Sequence, residues 1–171
     1  MIDIFVQIDG IEGESLSVDH EKWIKALGYN HGLAQPHATA ASGGGSYGGI
    51  SRAEHEDFKI SKFLDKASPK LNLQCQSGKL IPKVVVHICR QVDSNVIYQK
   101  YELEGVIVRS VAISGSSVSL SNDTEVSLEK PIENVAFAYK KITLTYTEVN
   151  EKNKAAGDTM AWLDPVTNTC G

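Results

Sequence analysis

The sequence predicts a mainly β fold, an antiparallel β-barrel of two packed sheets with one short flanking α-helix. Apolar and polar residues alternate with period two along much of the chain, which is typical of strands with one buried face. Turn residues separate these stretches at intervals of about 8 to 12 residues, a spacing typical of barrels and sandwiches. One segment alone has the pattern of a helix. We expect the 171 residues to form a single domain, 1–171.

The first half of the chain contains four predicted strands. Ile2, Ile4, Val6 and Ile8 alternate with less apolar residues, so the chain begins with a strand that buries one face. Further extended segments are predicted at 21–29 and, from a weaker pattern, 53–60. Residues 83–89 are apolar and β-branched on both faces, which indicates a central strand.

The second half continues as strands separated by turns. A turn at Asp93–Asn95 joins the central strand to residues 96–103 in a predicted hairpin. Gly105 is expected to separate that strand from the next, 106–113, and another strand follows a turn, within 118–128. Residues 137–149 have the pattern of one long strand. Its large apolar residues change from odd to even positions, which predicts a bulge near Lys140 and Lys141.

The predicted helix covers about residues 69–77. Ser68 is a suitable N-cap, and Pro69 suits the first helical position. Leu71 and Cys75 lie four residues apart and therefore on one face. Gly78 stands where a left-handed residue ends many helices.

Composition excludes several functional classes. The net charge is −4, so the chain offers no basic surface for nucleic acid. No apolar run approaches the roughly 18 residues that cross a bilayer. The N-terminus lacks the basic and apolar regions of a secretory signal, which predicts folding in the cytoplasm. Three cysteines, Cys75, Cys89 and Cys170, are too few for a disulfide framework and are expected to be free thiols.

Charge is unevenly distributed along the chain. Residues 1–60 hold 4 Lys or Arg and 9 Asp or Glu, whereas residues 61–171 hold 13 and 12. The acidic excess therefore lies in the first third of the chain.

Motifs for small-ligand chemistry are weak. Residues 43–48 match the G-x-G-x-x-G pattern, but acidic residues follow in place of a helix start, so no nucleotide or other cofactor is predicted. His87, Cys89 and Cys75 could supply three metal ligands, yet the tight pairs of zinc sites are missing, which favours buried thiols and a hydrogen-bonded core histidine. The runs Asp19–Glu21 and His55–Asp57 alternate between strand faces and predict no converging acid or base, so we expect no enzyme.

A glycine-rich segment is the main candidate for a functional site. Residues 30–51 hold 6 of the 14 glycines and lack apolar periodicity, which indicates a long extended loop at about 31–51. Ordering roughly 15 residues costs on the order of 15 to 30 kcal/mol of backbone entropy, which a neighbouring subunit could offset. A mobile surface linker is the alternative. The predicted subunit-contact residues are Gln35, His37, Ser42, Gly43, Gly44, Gly45, Ser46, Tyr47, Gly48 and Gly49.

Several dispersed motifs agree in order with one known family over nearly the whole chain. They are Asp3–Ser15, the Gly43–Gly45 run, Leu64–Leu71, Ser77–Lys79, Tyr98 leading into Leu103–Val108, Phe137–Ile142 and Trp162–Asp164. In these motifs the chain resembles the Hcp family (haemolysin-coregulated protein), the tube component of the bacterial type VI secretion system. The family often has two tryptophans where Tyr29 and His31 stand here, and residues 121–131 are more charged than the family's pattern.

The resemblance implies a structural role. Six copies would close into a ring, and rings would stack into a hollow tube that is tipped by a spike protein and driven by a contractile sheath. Effector proteins would travel in the lumen, where Asn30, by alternation with Ile24, Ala26 and Gly28, is expected to contact cargo. The resemblance also implies assembly in the cytoplasm and then secretion, or delivery into a target cell, without a signal peptide or membrane insertion.

Two other functional classes compete with the tube. A monomeric β-sandwich that binds carbohydrate or peptide would need an exposed aromatic platform, and aromatic residues make up only 7% of the chain. A hydrolase would need converging catalytic groups, which the spacing does not provide.

Overall fold

A computed structural model describes residues 2–36, 52–91, 95–115, 130–149 and 155–171 of the chain. Within these residues strands predominate, with one α-helix and one short 3₁₀ turn at Val18–His20. The elements in chain order are β1 Ile2–Ile8, β2 Ile24–Asn30, β3 Leu33–Ala34, β4 Glu54–His55, β5 Phe58–Phe63, α1 Ser68–Ser77, β6 Ile81–Gln91, β7 Asn95–Ser114, β8 Ile132–Ala138, β9 Lys141–Val149, β10 Ala155–Asp164 and β11 Thr169–Cys170.

Six strands close into an antiparallel barrel, which confirms the predicted fold class. The barrel order is β7, β6, β1, β2, β5 and β8, and pairing between β8 and β7 closes the circle. Strands β9, β10 and β11 extend the sheet outward from β7, while β3 and β4 pair separately. Among the described residues, no helix has the length and apolar character needed to cross a bilayer.

Apolar side chains of all six barrel strands fill the interior. Core residues include Val6, Ile24, Val86 and Phe137, and Leu71 of α1 joins them. Strand β1 departs from the simple alternation, because Asp3 and Phe5 on its other face are also buried. The Val18–His20 turn lies over that second face, and the His20 ring stacks on Phe5 at 4.3 Å.

Strand β7 is one continuous strand, so the predicted separation into 96–103 and 106–113 is wrong. Gly105 lies inside it with a φ of 61°. The residues before Gly105 pair with β9, from Gln99 to Glu104, and those after it pair with β8, from Ile107 to Ser114. Glycine adopts this left-handed backbone without steric cost, and it therefore bends the strand at the change of partner instead of ending it.

The predicted long strand 137–149 is two strands. Strand β8 ends at Ala138, β9 begins at Lys141, and the N–H of Lys140 donates to the carbonyl of Glu104 at 3.0 Å. Both strands pair with the same edge of β7. The change from odd to even positions therefore marks a break between two strands and not a bulge within one.

The helix is confirmed, but its cap differs from the prediction. Ser68 is the first helical residue, and Ala67 occupies the N-cap position. The Ala67 N–H donates to Oδ1 of Asp65 at 2.9 Å, so Asp65 performs the role expected of the Ser68 hydroxyl. At the other end Gly78 has a φ of 62°, as predicted. Leu71 is buried, and Cys75 packs against the core.

The other predicted strands that fall within the described residues are present, but their boundaries differ from the prediction. The segment 21–29 becomes β2, which begins only at Ile24, and 53–60 becomes β4 and β5. The hairpin of β6 and β7 is confirmed by the register, which places Gln91 opposite Asn95. Residues 92–94 and the predicted strand 118–128 lie outside the described residues.

Candidate functional site

Two neighbouring rows of side chains on the outer surface of four adjacent barrel strands are small or polar. Strands β2, β5, β8 and the second half of β7 place their outward side chains in rows, and we call this surface the polar sheet face. One row runs Asn30, Lys59, Ala136, Ser110, and the next runs Gly28, Ser61, Asn134, Ala112. Within the second row, the Ser61 hydroxyl donates to Oδ1 of Asn134 at 2.6 Å.

Asn30 is exposed on the polar sheet face, but the alternation that predicted it is wrong. The register of β2 against β5 shifts between Ala26 and Gly28. Ile24 and Ala26 face the core, and after the shift Tyr29 packs against the core while Gly28 and Asn30 face outward. A bulge adds one residue to a strand and reverses the faces of those that follow. Asn30 therefore lies on the surface opposite to that of Ile24.

The four strands of the polar sheet face end on both sides in an edge. Neither edge is hydrogen-bonded to another of the described strands. Strand β2 pairs with β1 only at Ile24–Ala26, whereas its residues 28–30 pair with β5 alone. Strand β7 pairs with β6 only as far as Val106, so residues 107–114 pair with β8 alone. We call these the β2 edge (28–30) and the β7 edge (107–114).

The glycine-rich segment departs from the barrel mouth between β3 and β4. Leu33 pairs with His55 and Ala34 with Glu54, which holds the two ends of the segment together. Gln35 is exposed directly after β3. The other predicted contact residues, His37, Ser42 and Gly43–Gly49, lie outside the described residues.

An aromatic cluster fixes the base of that segment. Nε2 of His31 lies 3.0 Å from the Tyr139 hydroxyl, which also lies 3.5 Å from Nδ1 of His55. The His31 ring lies 6.0 Å from the ring of Phe58, which belongs to the core. Burial, with a contribution from Asp57, raises the pKa of Tyr139 to about 12. Burial and the neighbouring His55 lower the pKa of His31, so both groups are neutral near pH 7.

A buried ion network holds α1 to the opposite end of the barrel. Nζ of Lys62 lies 2.7 Å from Oε2 of Glu133 and 2.7 Å from Oδ1 of Asp65. The Ser68 hydroxyl donates to the same Glu133 oxygen at 2.7 Å and accepts from Lys62 at 3.0 Å. The sequence analysis missed this network. Its signal is the pair of charged residues at core-facing positions of β5 and β8.

His87 is hydrogen-bonded as predicted, but it is half-buried on the outer face of the barrel and not in the core. Nδ1 of His87 lies 2.9 Å from Nε2 of His20, and the Trp23 ring packs 4.7 Å from that of His87. Burial, followed by the charge of His20, lowers the pKa of His87 to about 4. No group of three His, Cys, Asp or Glu side chains placed to hold a metal occurs in the described part of the chain.

The thiols are free as predicted, although Cys75 is only half-buried, and the run Asp19–Glu21 lies at a 3₁₀ turn and not on a strand. Cys75, Cys89 and Cys170 are free thiols, and burial raises the pKa of Cys89 to about 11. In the run His55–Asp57, the Asp57 carboxylate pairs with Arg109 at 3.2 Å while His55 turns to Tyr139. These side chains therefore have separate partners and do not converge on one proton.

Comparisons with known proteins agree with this geometry. Residues 5–146 match the family model described as type VI secretion system effector, Hcp. Protein hcp1 of Pseudomonas aeruginosa is 27% identical over 146 residues, covering 85% of this chain and 83% of that protein. A solved structure of a type six secretion system protein superposes with a TM-score of 0.85 at 27% identity, covering 100% of both chains. A type VI secretion system effector from Yersinia pestis gives a TM-score of 0.70 at 30% identity, covering 95% of this chain and 99% of that one.

Proposed function

Because the chain belongs to the Hcp family of type VI secretion system effectors, we propose that it is a structural subunit of the secretion tube, not an enzyme. Its 171 residues form one domain, and six copies close into a ring. Rings stack into a hollow tube that carries effector proteins. The observation that carries this proposal is the pair of free strand edges on the two sides of the polar sheet face.

The two edges are suited to join copies head to tail. Strands β2, β5, β8 and β7 alternate in direction, so β2 and β7 run in opposite directions. The β7 edge of one copy can therefore pair in antiparallel fashion with the β2 edge of the next. Such a contact joins two different patches and repeats around a ring until it closes. Closure also satisfies backbone groups that would otherwise form exposed edges.

The polar sheet face then lines the bore. The exposed residues of its two described rows are short or polar, including Asn30, Ser110 and Ala112, so these rows offer cargo no large apolar patch. Asn30 is the proposed cargo contact, since its amide can both donate and accept hydrogen bonds. Lys59, beside it in the same row, adds an exposed positive charge.

The remaining partners follow from the family. The glycine-rich segment contacts a neighbouring subunit or ring, the stacked rings meet a spike protein at one end, and a contractile sheath surrounds them. Assembly takes place in the cytoplasm, and export follows.

Native mass measurement and negative-stain images test the ring. A sixfold mass with a central hole supports the tube. A single-chain mass at high concentration contradicts it and favours the monomeric carbohydrate- or peptide-binding module.

Charged substitutions at the two edges test whether the β2 edge and the β7 edge pair between copies. Gly28 and Ala112 lie in the same row at the two edges, and a Cβ at Gly28 meets no atom within 4 Å. The double variant Gly28→Asp/Ala112→Asp is expected to dissociate rings at low salt and to recover them as salt screens the repulsion. The matched variant Gly28→Asp/Ala112→Lys is expected to keep the sixfold mass. Equal behaviour of the two variants would contradict pairing of these edges.

A further inference from the structure

The row of side chains beyond Ser61 and Asn134 on the polar sheet face is apolar. Phe63 lies beside Ile132, and Ile132 beside Ser114, and the two large side chains are 44% and 41% exposed. Phe63 also lines a groove of about 550 Å³ beside the first half of β2. We call it the apolar groove, after its apolar lining residues, which are Phe5, Leu16, Leu27, Phe63 and Leu64. Large apolar side chains exposed together are typical of an interaction site.

Most charged side chains that line the apolar groove already have a partner of opposite charge. Lys25 pairs with Asp3 at 3.1 Å, and Asp65 pairs with the buried Lys62 at 2.7 Å. Lys130 adds one positive charge at an exposed position, where water screens it. An occupant of this groove therefore needs an apolar surface and no balancing charge.

One segment of the same chain begins and ends at the margin of this groove. It comprises residues 116–129, between β7 and β8, and we call it the tip segment. Its two flanking residues lie side by side, because a Cβ on Gly115 would lie 3.3 Å from the Pro131 ring. The Pro131 carbonyl accepts the N–H of Leu64 at 2.9 Å, and Lys130 lines the groove. The tip segment therefore starts and returns beside the apolar groove.

The tip segment alternates between two kinds of side chain. All its large apolar residues stand at even positions, namely Val118, Leu120, Val126 and Leu128. Its odd positions hold only serine and acidic residues, the acidic ones being Asp123, Glu125 and Glu129. Strict alternation of this kind is typical of strands that bury one face. Asn122–Thr124, in the middle, has the composition of a turn.

The register of β7 against β8 leads into this pattern without a shift. Ser114 lies opposite Ile132 in the last described pair. The same register, continued, would pair the large apolar residues with one another: Val118 with Leu128 and Leu120 with Val126. A three-residue turn at 122–124 would join the two arms, which is a common hairpin length. Opposite residues share a face, and faces alternate along a strand, so the apolar side would be that of Ile132 and Phe63.

We propose that the tip segment forms a hairpin that docks its apolar side on the apolar groove of its own chain. An arm of seven residues spans about 23 Å, roughly the length of β2, and its root already lies at the groove. Attachment at both ends gives the segment a high effective concentration there, which favours it over any separate peptide. The acidic side then faces solvent, so docking replaces an apolar surface by an acidic one. The proposal concerns a single chain and does not depend on the ring.

Thiol labelling tests which side of the tip segment is covered. The two reporters are Leu120→Cys and Ser119→Cys, each in a chain that also carries Cys75→Ser and Cys170→Ser, while the buried Cys89 remains. Neighbouring positions of a strand point to opposite sides, so Leu120→Cys is expected to react with a maleimide at least tenfold more slowly than Ser119→Cys. Equal rates would overturn the docking.

A reporter in the groove tests the other partner of the contact. Leu27→Cys, in the same background, is combined with serine at the four apolar positions of the tip segment, which gives Val118→Ser, Leu120→Ser, Val126→Ser and Leu128→Ser. Its labelling is expected to become at least tenfold faster, because the groove loses its cover.

The matched control changes the odd side of the tip segment instead. It carries Ser117→Thr, Ser119→Thr, Ser121→Thr and Ser127→Thr and should leave labelling of Leu27→Cys within about twofold of the parent rate. Labelling of Met160→Cys, an exposed apolar position on β10 outside the groove, should not respond to either set. Equal rates for Leu27→Cys in the serine and threonine sets would overturn the proposal. If the serine set unfolds the chain, the comparison of Leu120→Cys with Ser119→Cys still decides it.

Dilution distinguishes the chain's own tip segment from that of a second copy. Protection of Leu120→Cys that persists on dilution to a single-chain mass supports docking within one chain. Protection that is lost together with higher mass assigns the groove's occupant to a second copy and overturns the proposal. The ring is judged separately by its native mass, since a sixfold mass with equal reactivity of the two reporters keeps the ring and rejects the docking.

Discussion

Nζ of Lys62 lies 2.7 Å from Oε2 of Glu133, and both side chains are completely buried between the barrel and the start of α1. Asp65 and Ser68 complete the network. Buried charged side chains are stable only when they are paired, because each one loses its hydration and depends on an opposite charge or a hydrogen bond beside it. The network therefore fixes where the helix meets the barrel.

Replacing Lys62 by Met should destabilise the fold by about 3–5 kcal/mol, because Glu133 and Asp65 would then face each other without a buried cation. Urea unfolding of the isolated chain measures the change. The control is Lys66→Met, which removes an exposed pair with Glu12 at 3.8 Å and should cost less than about 1 kcal/mol. Similar losses for the two variants would contradict a structural role for the network.

The His20 and His87 pair should make stability depend on pH. Burial lowers both pKa values below 6.5, outweighing Asp19 near His20 and Glu102 near His87, while Lys100 further lowers the pKa of His87. The unfolded chain then binds protons more readily than the folded one. Stability is fully present above pH 6.5 and is lost as pH falls toward about 4.

Urea midpoints at pH 7.5 and 5.5 measure this dependence. The variant His20→Phe/His87→Phe keeps rings that can pack with Phe5 and Trp23 but removes both titrating groups. Its midpoint is expected to change less between the two pH values than that of the parent chain. An unchanged pH dependence would show that other groups are responsible.

Gly105→Ala should destabilise the fold by about 1–2 kcal/mol. The residue would have to hold a φ of 61°, and its Cβ would lie 2.8 Å from the Lys140 side chain. The matched control is Gly28→Ala, whose Cβ meets nothing within 4 Å and whose cost should stay within about 0.5 kcal/mol. Thermal unfolding of both variants decides the comparison, and equal costs would argue against strain at Gly105.

The thiols should react in a fixed order. Cys170 is exposed, whereas Cys89 is buried with a pKa raised to about 11. A thiol reagent at pH 8 should therefore label Cys170 first and reach Cys89 only after unfolding. Mass spectrometry of the labelled peptides measures the order, and early labelling of Cys89 in the folded chain would contradict it.

Asn30→Gln should change how well the tube retains an effector, because the amide would project one methylene further into the proposed bore. Co-purification of effector with ring measures retention. Asn72→Gln makes the same chemical change on α1, outside the polar sheet face, and should leave retention unaltered. Unchanged retention in the Asn30 variant would remove this residue from the cargo surface.

The sequence predicted the barrel class and the helix because both depend on local patterns. Alternation identified β1, and Gly78 marked the end of α1 through its left-handed backbone. Gly105 shows the limit of such patterns, since a glycine that ends a strand and one that bends it look alike in sequence. What distinguishes them is which neighbouring strands pair on each side.

The candidate site was predicted less completely. The face of Asn30 depends on a bulge at residues 26–28, which the alternating pattern of β2 does not reveal. Lys62 and Glu133 are distant in sequence, so their pairing follows only from the register of β5 against β8.

The pairing of β7 with three other strands of the same chain has a mechanical consequence. Its 20 residues are held by β6 and β9 in the first half and by β8 in the second. A pull along this strand loads many hydrogen bonds in shear at once, so they must rupture together instead of opening one by one. We therefore expect the subunit to withstand axial thrust best along β7.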